Sequence, residues 1–173
     1  MNATRYRAVI GWFQARPAAC RALRCVSTGA VGAVYVLYIG LLLWLAAGRQ
    51  TLFAPALTVP AAAFLVGSAV RAGIDRPRPY VTLGYQPLFP KKDTGRSMPS
   101  RHCFSAAAIA VAAAYCAPPL GVVLAVLAVL IAVSRVVIGV HYISDVLAGL
   151  AFGSGFALAG WQFCTAALQA LAA

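Results

Sequence analysis

The chain has 173 residues, 62% of them hydrophobic and only 10% charged, whereas a soluble domain carries about a quarter charged. Fourteen Lys and Arg oppose three acids, Asp75, Asp93 and Asp145, giving a formal charge of +11. Together with a mean hydropathy of +0.85 and apolar runs near bilayer length, this excludes an ordinary soluble domain and turns the expected anionic partner from nucleic acid to membrane lipid.

In chain order, residues 5–24 interleave Val9, Ile10, Trp12, Phe13 and Leu23 with Arg5, Arg7, Arg16, Arg21 and Arg24, and Pro17 interrupts them. This pattern predicts an interfacial segment over residues 1–25. Residues 26–47 carry no charge and make about 33 Å of helix, a first span. After a short turn at Arg49 and Gln50, residues 51–70 form a second uncharged run that contains Pro55 and Pro60. Residues 71–101 hold half of the cations and two of the three acids, and their repeated prolines block a continuous helix. A loop of this length exceeds what a connection needs and predicts a functional role for residues 71–99.

Three further spans follow: residues 100–117, residues 120–138 after the Pro118–Pro119 turn, and a Gly- and Ala-rich span from about Tyr142 towards the C-terminus. The expected fold class is all-α, a polytopic membrane bundle of about five transmembrane helices plus an N-terminal interfacial helix, forming one domain over residues 1–173. The five cysteines, Cys20, Cys25, Cys103, Cys116 and Cys164, show neither a disulfide framework nor zinc spacing and read as small apolar fillers.

If the spans alternate in direction, the end of the second, the start of the third, the end of the fourth and the start of the fifth share one membrane face. That face collects Arg71, Arg76, Arg78, Ser100, Arg101, His102, Arg135, His141 and Asp145, including both histidines of the chain. An arginine inside a bilayer costs about 2.5–3.5 kcal/mol on insertion scales, so Arg135 needs a partner or a path to water. Snorkelling from the helix end is one solution. An anion clamp is the other, because too few carboxylates stand nearby to neutralise these arginines and guanidinium fits phosphate oxygens bidentately. Ser100 precedes an apolar helix, either as a simple N-cap or as part of a phosphate site on that helix N-terminus.

His141 and Asp145 stand four apart, which on a helix places them on one face and lets the carboxylate hold the imidazole. A structural polar pair is the alternative. Two histidines at neighbouring helix starts supply a nucleophile and a general acid, as phosphoryl transfer through an enzyme intermediate requires. Metal catalysis would need clustered carboxylates or several histidines. Asp75 lies among arginines and Asp93 beside Lys91 and Lys92, as in ordinary surface charge balance, so the expectation is a reaction without metal or other cofactor.

These residues, in this order, resemble the three-part signature of the type 2 phosphatidic acid phosphatase family of membrane lipid phosphatases, related in fold to vanadium haloperoxidases. Arg71, six residues, then Arg78 and Pro79 match the first element, with Arg for the more usual Lys. Pro99, Ser100, Arg101 and His102 match the second, with Arg101 in place of glycine. Ser134, Arg135, His141 and Asp145 match the third in full.

The resemblance implies that His141 is the nucleophile that becomes phosphorylated, that Asp145 orients it and that His102 protonates the leaving oxygen. It implies that Arg71, Arg78, Ser100 and Arg135 hold the phosphate, and that Arg101 offers its backbone N–H while its side chain points away or adds charge. A bacterial cell-membrane location and a lipid phosphate substrate follow. Candidate substrates are a polyprenyl diphosphate, slightly favoured, phosphatidylglycerol phosphate and phosphatidic acid. Membrane lipids are the expected surroundings and nucleic acid is not expected as a partner. A non-catalytic anion or lipid-phosphate transporter is the alternative. The five arginines before the first span oppose Arg49 after it, which puts the N-terminus, and with five spans the site, at the cytoplasmic face. Tyr80, Tyr85, Leu88 and Phe89 form either an apolar lid or ordinary loop packing.

Overall fold

Each uncharged run folds as a helix in the computed structural model, which describes residues 2–90 and 95–172. Helix α1 spans Ala3–Gln14, α2 Pro17–Gly48, α3 Gln50–Ile74, α4 Pro79–Thr82, α5 Arg101–Cys116, α6 Pro118–Val137 and α7 Ile143–Ala172. The five expected spans correspond to α2, α3, α5, α6 and α7, and no strand occurs among the described residues. Lys91, Lys92 and Asp93, read from sequence as surface charge balance, lie outside the described residues.

Two boundaries differ from expectation. The segment 1–25 divides at Ala15 and Arg16: only α1 is a separate helix, capped by the Asn2 side chain on the Arg5 N–H at 3.0 Å. Pro17 opens α2 instead of breaking it, because its missing N–H falls in the first turn, where a helix has no internal acceptor for it. Residues 17–25 therefore extend the first membrane helix. At the other boundary, α3 runs past Arg71 to Ile74 and stops at Asp75, which adopts φ 41°. Arg71 thus belongs to a helix's last turn, not to the loop.

Pro60 sits inside α3, where it cannot donate to the Ala56 carbonyl four residues earlier. The Tyr38 hydroxyl of α2 donates to that carbonyl at 2.9 Å, so a neighbouring helix repairs the gap.

The short helix α5, about 24 Å long by its 16 residues, is the centre of the bundle. It packs against α2, α3, α6 and α7, and its residues from Cys103 to Ala110 are all buried. Small residues permit this enclosure. Gly149 and Gly153 of α7 press on the first turn of α5, and a Cβ at Gly153 would stand 2.2 Å from the Phe104 carbonyl oxygen. Gly121 of α6 meets Ala114 in the same way, at 2.5 Å from its Cα. Four of the five expected spans, α2, α3, α6 and α7, are long and apolar enough to cross a membrane, α5 being shorter, and Val36, Leu43, Leu65, Val122, Val126 and Leu147 stay exposed on the outside of the bundle, as lipid-facing side chains do. With α5 held in the middle, the ends of α3 and α6 and the starts of α5 and α7 meet at one rim.

Candidate active site

The rim is organised by the turn between α6 and α7. Gly139 adopts φ 84°, where a side chain is strained and would crowd the Tyr85 ring, and the chain reverses there to present His141. His141 and Asp145 are both buried. They meet, but not as two positions on one helix: His141 precedes α7, and Asp145 lies in its first turn, where Oδ2 accepts the Tyr142 N–H at 2.9 Å. The expected helical face is corrected to a capped turn.

Between the two residues stands Ser97, which sequence reasoning missed. Its hydroxyl donates a short hydrogen bond to Asp145 Oδ2, while His141 Nδ1 is 3.3 Å from Ser97 Oγ and 3.6 Å from Asp145 Oδ2. With the serine proton committed to the carboxylate, both oxygens facing Nδ1 act as acceptors. That arrangement keeps the ring proton on Nδ1 and leaves the Nε2 lone pair available. Burial, reinforced by the Arg78 and Arg71 guanidiniums and opposed by Asp145, holds the His141 imidazole below its ordinary 6.5.

Arg76 completes the carboxylate's environment. Its guanidinium donates to Asp145 Oδ1 and to Ser144 Oγ, both at 2.9 Å, and lies 4.1 Å from the centroid of the Tyr142 ring. A fully buried carboxylate requires such partners. Asp75, read from sequence as surface charge balance, is exposed and stands 3.8 Å from exposed Arg96, away from the buried cluster.

The arginines of the signature occupy distinct places. Arg71 reaches back from α3 to donate to the carbonyls of Ser97 at 3.2 Å and Pro99 at 2.8 Å, so it shapes the segment that carries Ser97. Arg78 donates to the Val140 carbonyl at 3.2 Å, one residue from His141. Both side chains are buried. Arg135, in the last turn of α6, is close enough to Cys103 and Arg78 to interact with them electrostatically, and its Nε is buried with no hydrogen-bond partner among the described residues. A guanidinium whose buried Nε lacks a protein acceptor can donate there to an oxyanion.

Ser100 is fully buried at the N-cap position of α5, but its hydroxyl makes no capping bond. Its backbone N–H donates to the Asp145 carbonyl at 2.9 Å, tying α5 to α7, and its Oγ has no hydrogen-bond partner among the described residues. Of the two orientations expected for Arg101 the structure shows the outward one: its side chain is exposed, with the guanidinium 5.9 Å from the centroid of the Phe64 ring. His102 is half-buried in the first turn of α5 and borders a narrow cleft with Val31, Tyr35, Ile109 and Ile131. Ser134 of the third element ties α6 to α2, with its hydroxyl 3.3 Å from Ser27 Oγ.

The aromatic cluster of the loop is packing, not a free lid. The Tyr85 hydroxyl donates to the Gly139 carbonyl at 2.9 Å, and Arg24 covers the Phe89 ring at 4.3 Å. Among the described residues no three His, Cys, Asp or Glu side chains gather as a metal-binding group. Cys103 and Cys116 are buried as expected of fillers, while Cys25 is exposed on α2.

Comparison with known proteins accords with this geometry. The lipid A 1-phosphatase of Rhizobium johnstonii is 34% identical over 99 residues, which are 54% of this chain and 40% of that protein. The match thus spans well under half of the relative's length. Among solved structures, Aquifex aeolicus LpxE superposes with a TM-score of 0.72 at 23% identity, covering 93% of this chain and 94% of the other. The first transmembrane PAP2-type phosphatidylglycerolphosphate phosphatase from Bacillus subtilis gives 0.66 at 21% identity, covering 92% and 84%. At such identities the likeness is one of fold. The family model described as PAP2 superfamily matches residues 52–168, a stretch that contains all three signature elements and most of the chain. The chain therefore belongs to the PAP2 superfamily.

Proposed function

We propose that this protein is an integral membrane phosphatase that removes phosphate from a lipid phosphomonoester or diphosphate, using His141 as nucleophile and no metal. His141 Nε2 attacks phosphorus as the bond to the lipid oxygen breaks, and His102 gives its proton to that departing oxygen. Water then attacks the phosphohistidine, delivering its proton to His102 and releasing inorganic phosphate with His141 restored. Arg71, Arg78, Arg135 and the Ser100 hydroxyl, with the first backbone N–H groups of α5, bind the phosphoryl oxygens and their growing charge. Arg101 contributes only through its backbone.

The observation that carries this reading is the buried His141–Ser97–Asp145 cluster set among arginines that outnumber the local carboxylates. An imidazole held neutral, with Nδ1 facing two acceptors, is poised to attack through Nε2. Metal-free chemistry is supported by the donor set, because the Asp145 oxygens already serve Arg76, Ser97 and Tyr142. The arginines that precede the first span favour a cytoplasmic site.

The test is phosphate release by purified protein from a panel containing lipid A 1-phosphate, phosphatidylglycerol phosphate, a polyprenyl diphosphate and phosphatidic acid. Release in excess EDTA, inhibited by vanadate, is the expected result. Binding or flux of these lipids without release of phosphate would contradict hydrolysis and support a transporter.

A further inference from the structure

Four consecutive carbonyls of the turn that presents His141 are each taken by a group from elsewhere in the chain. Ile138 O accepts the Leu88 N–H at 3.1 Å, Gly139 O the Tyr85 hydroxyl at 2.9 Å, Val140 O the Arg78 guanidinium at 3.2 Å, and His141 O the Tyr6 hydroxyl at 3.0 Å. The last donor comes from α1, 135 residues away in sequence and outside the stretch matched by the family model.

The attachment of α1 is built around this contact. Tyr6 and Ile10, one turn apart, are its two buried residues. Tyr6 stacks on Tyr85 with ring centroids 5.2 Å apart and 19° between planes, so the two hydroxyls that hold Gly139 and His141 belong to one aromatic pair. Ile10 reaches Gly139 from the same side, and Arg7 donates to the Gly84 carbonyl at 3.2 Å. Burial, followed by the negative charge of Asp145, pushes the Tyr6 phenol up to about 12, so it remains a donor wherever the enzyme works.

We propose that α1 belongs to the catalytic apparatus, with Tyr6 as a positioning residue that, together with Tyr85, fixes the peptide of His141 and thereby keeps Nδ1 on Ser97 and Asp145. The physical reason lies in the turn. Beyond the left-handed Gly139, residues 139–142 are outside any helix, so the peptide joining His141 to Tyr142 is held at its two ends by the Tyr6 hydroxyl on the carbonyl and by Asp145 Oδ2 on the N–H, and loss of Tyr6 frees the carbonyl end. A buried carbonyl that loses its donor seeks another by rotating, and the imidazole turns with it. The proposal rests on His141 being the nucleophile, but it has a readout that does not.

The chain contains only two histidines, so imidazole-15N labelling resolves His141 and His102 separately. In Tyr6→Phe, which keeps the ring stack, kcat is expected to fall roughly fivefold or more with KM within about twofold. The His141 titration moves towards 6.5 as water enters, and the His102 resonances serve as the internal reference. Trp12→Phe, an exposed position on the same helix, changes neither. Loss of thermal stability in Tyr6→Phe with unchanged kcat and unchanged His141 resonances would overturn the proposal. If the wild-type protein releases no phosphate from any lipid, the functional reading fails, and the His141 resonances alone decide the positioning role. Should Tyr6→Phe not fold, Tyr85→Phe is judged by the same measurements, and wild-type values in it overturn the proposal.

Discussion

Ser97→Ala tests the least conspicuous part of the site. Asp145 is fully buried and accepts three hydrogen bonds, from Arg76 at 2.9 Å, from the Tyr142 N–H at 2.9 Å and from Ser97. The alanine removes one charge-assisted bond, a change worth about 1.5–3 kcal/mol. It also removes the nearer of the two acceptors at His141 Nδ1, since the 3.6 Å separation from Asp145 is long for a hydrogen bond. If about 1.4 kcal/mol of the loss falls on the transition state, kcat drops about tenfold. The remainder appears as reduced stability. KM should change little, because Ser97 Oγ faces Nδ1 and not the attacking Nε2. Initial rates of phosphate release from a lipid phosphate in detergent micelles, paired with thermal unfolding, separate the two parts. Ser97→Thr, which restores a hydroxyl, should recover most of the rate. A kcat in Ser97→Ala within twofold of wild type would refute the bridging role.

Gly153→Ala forces a methyl to within 2.2 Å of the Phe104 carbonyl oxygen, so α7 must retreat from α5, at a cost of about 1–3 kcal/mol. Gly155→Ala on the same helix meets open space and serves as the control in thermal unfolding. Arg101→Gly should leave phosphate release within about twofold of wild type, because the side chain lies exposed over Phe64, whereas Arg135→Lys should lose far more. A large loss in Arg101→Gly would return that guanidinium to the phosphate site. The acid limb of kcat/KM should have its midpoint below 6.5, since burial disfavours protonated His141. In stability the sign is the same. The unfolded chain takes up the proton first, so this residue destabilises the fold as pH drops below 6.5, and the effect levels off below the folded value. A midpoint above 6.5 would contradict the environment described for the imidazole.

The helices were legible because lipid-facing and buried segments alike exclude charge, which leaves uninterrupted runs separated by polar turns. The meeting of the signature residues at one rim followed from alternating helix direction alone. Boundaries were less legible. Pro17 reads as a breaker unless its first-turn position is known, and Arg71 reads as loop although a helix continues through it until Asp75 turns left-handed. The spacing of His141 and Asp145 identified true neighbours by the wrong geometry, a turn in place of a helical face.

Ser97 and Tyr6 were missed, and Arg76 was placed at the rim without its bond to Asp145, for a different reason. Ser97, Arg76 and Tyr6 reach Asp145 and His141 across 48, 69 and 135 positions. No local period encodes such a contact. For Ser97 and Arg76 the available signal was physical: a single acid buried near a histidine needs more partners than one imidazole can provide. Nothing in the sequence of α1 marks Tyr6, whose role arises only when the helix docks on the loop.

The central claim is a covalent one, and trapping the intermediate tests it most directly. Enzyme mixed with a lipid carrying 32P-phosphate, quenched in alkali during turnover and digested, should yield a labelled peptide with phosphate on His141, and none from His141→Ala. Phosphate release by His141→Ala at the wild-type rate, or label recovered on another residue, would contradict the account.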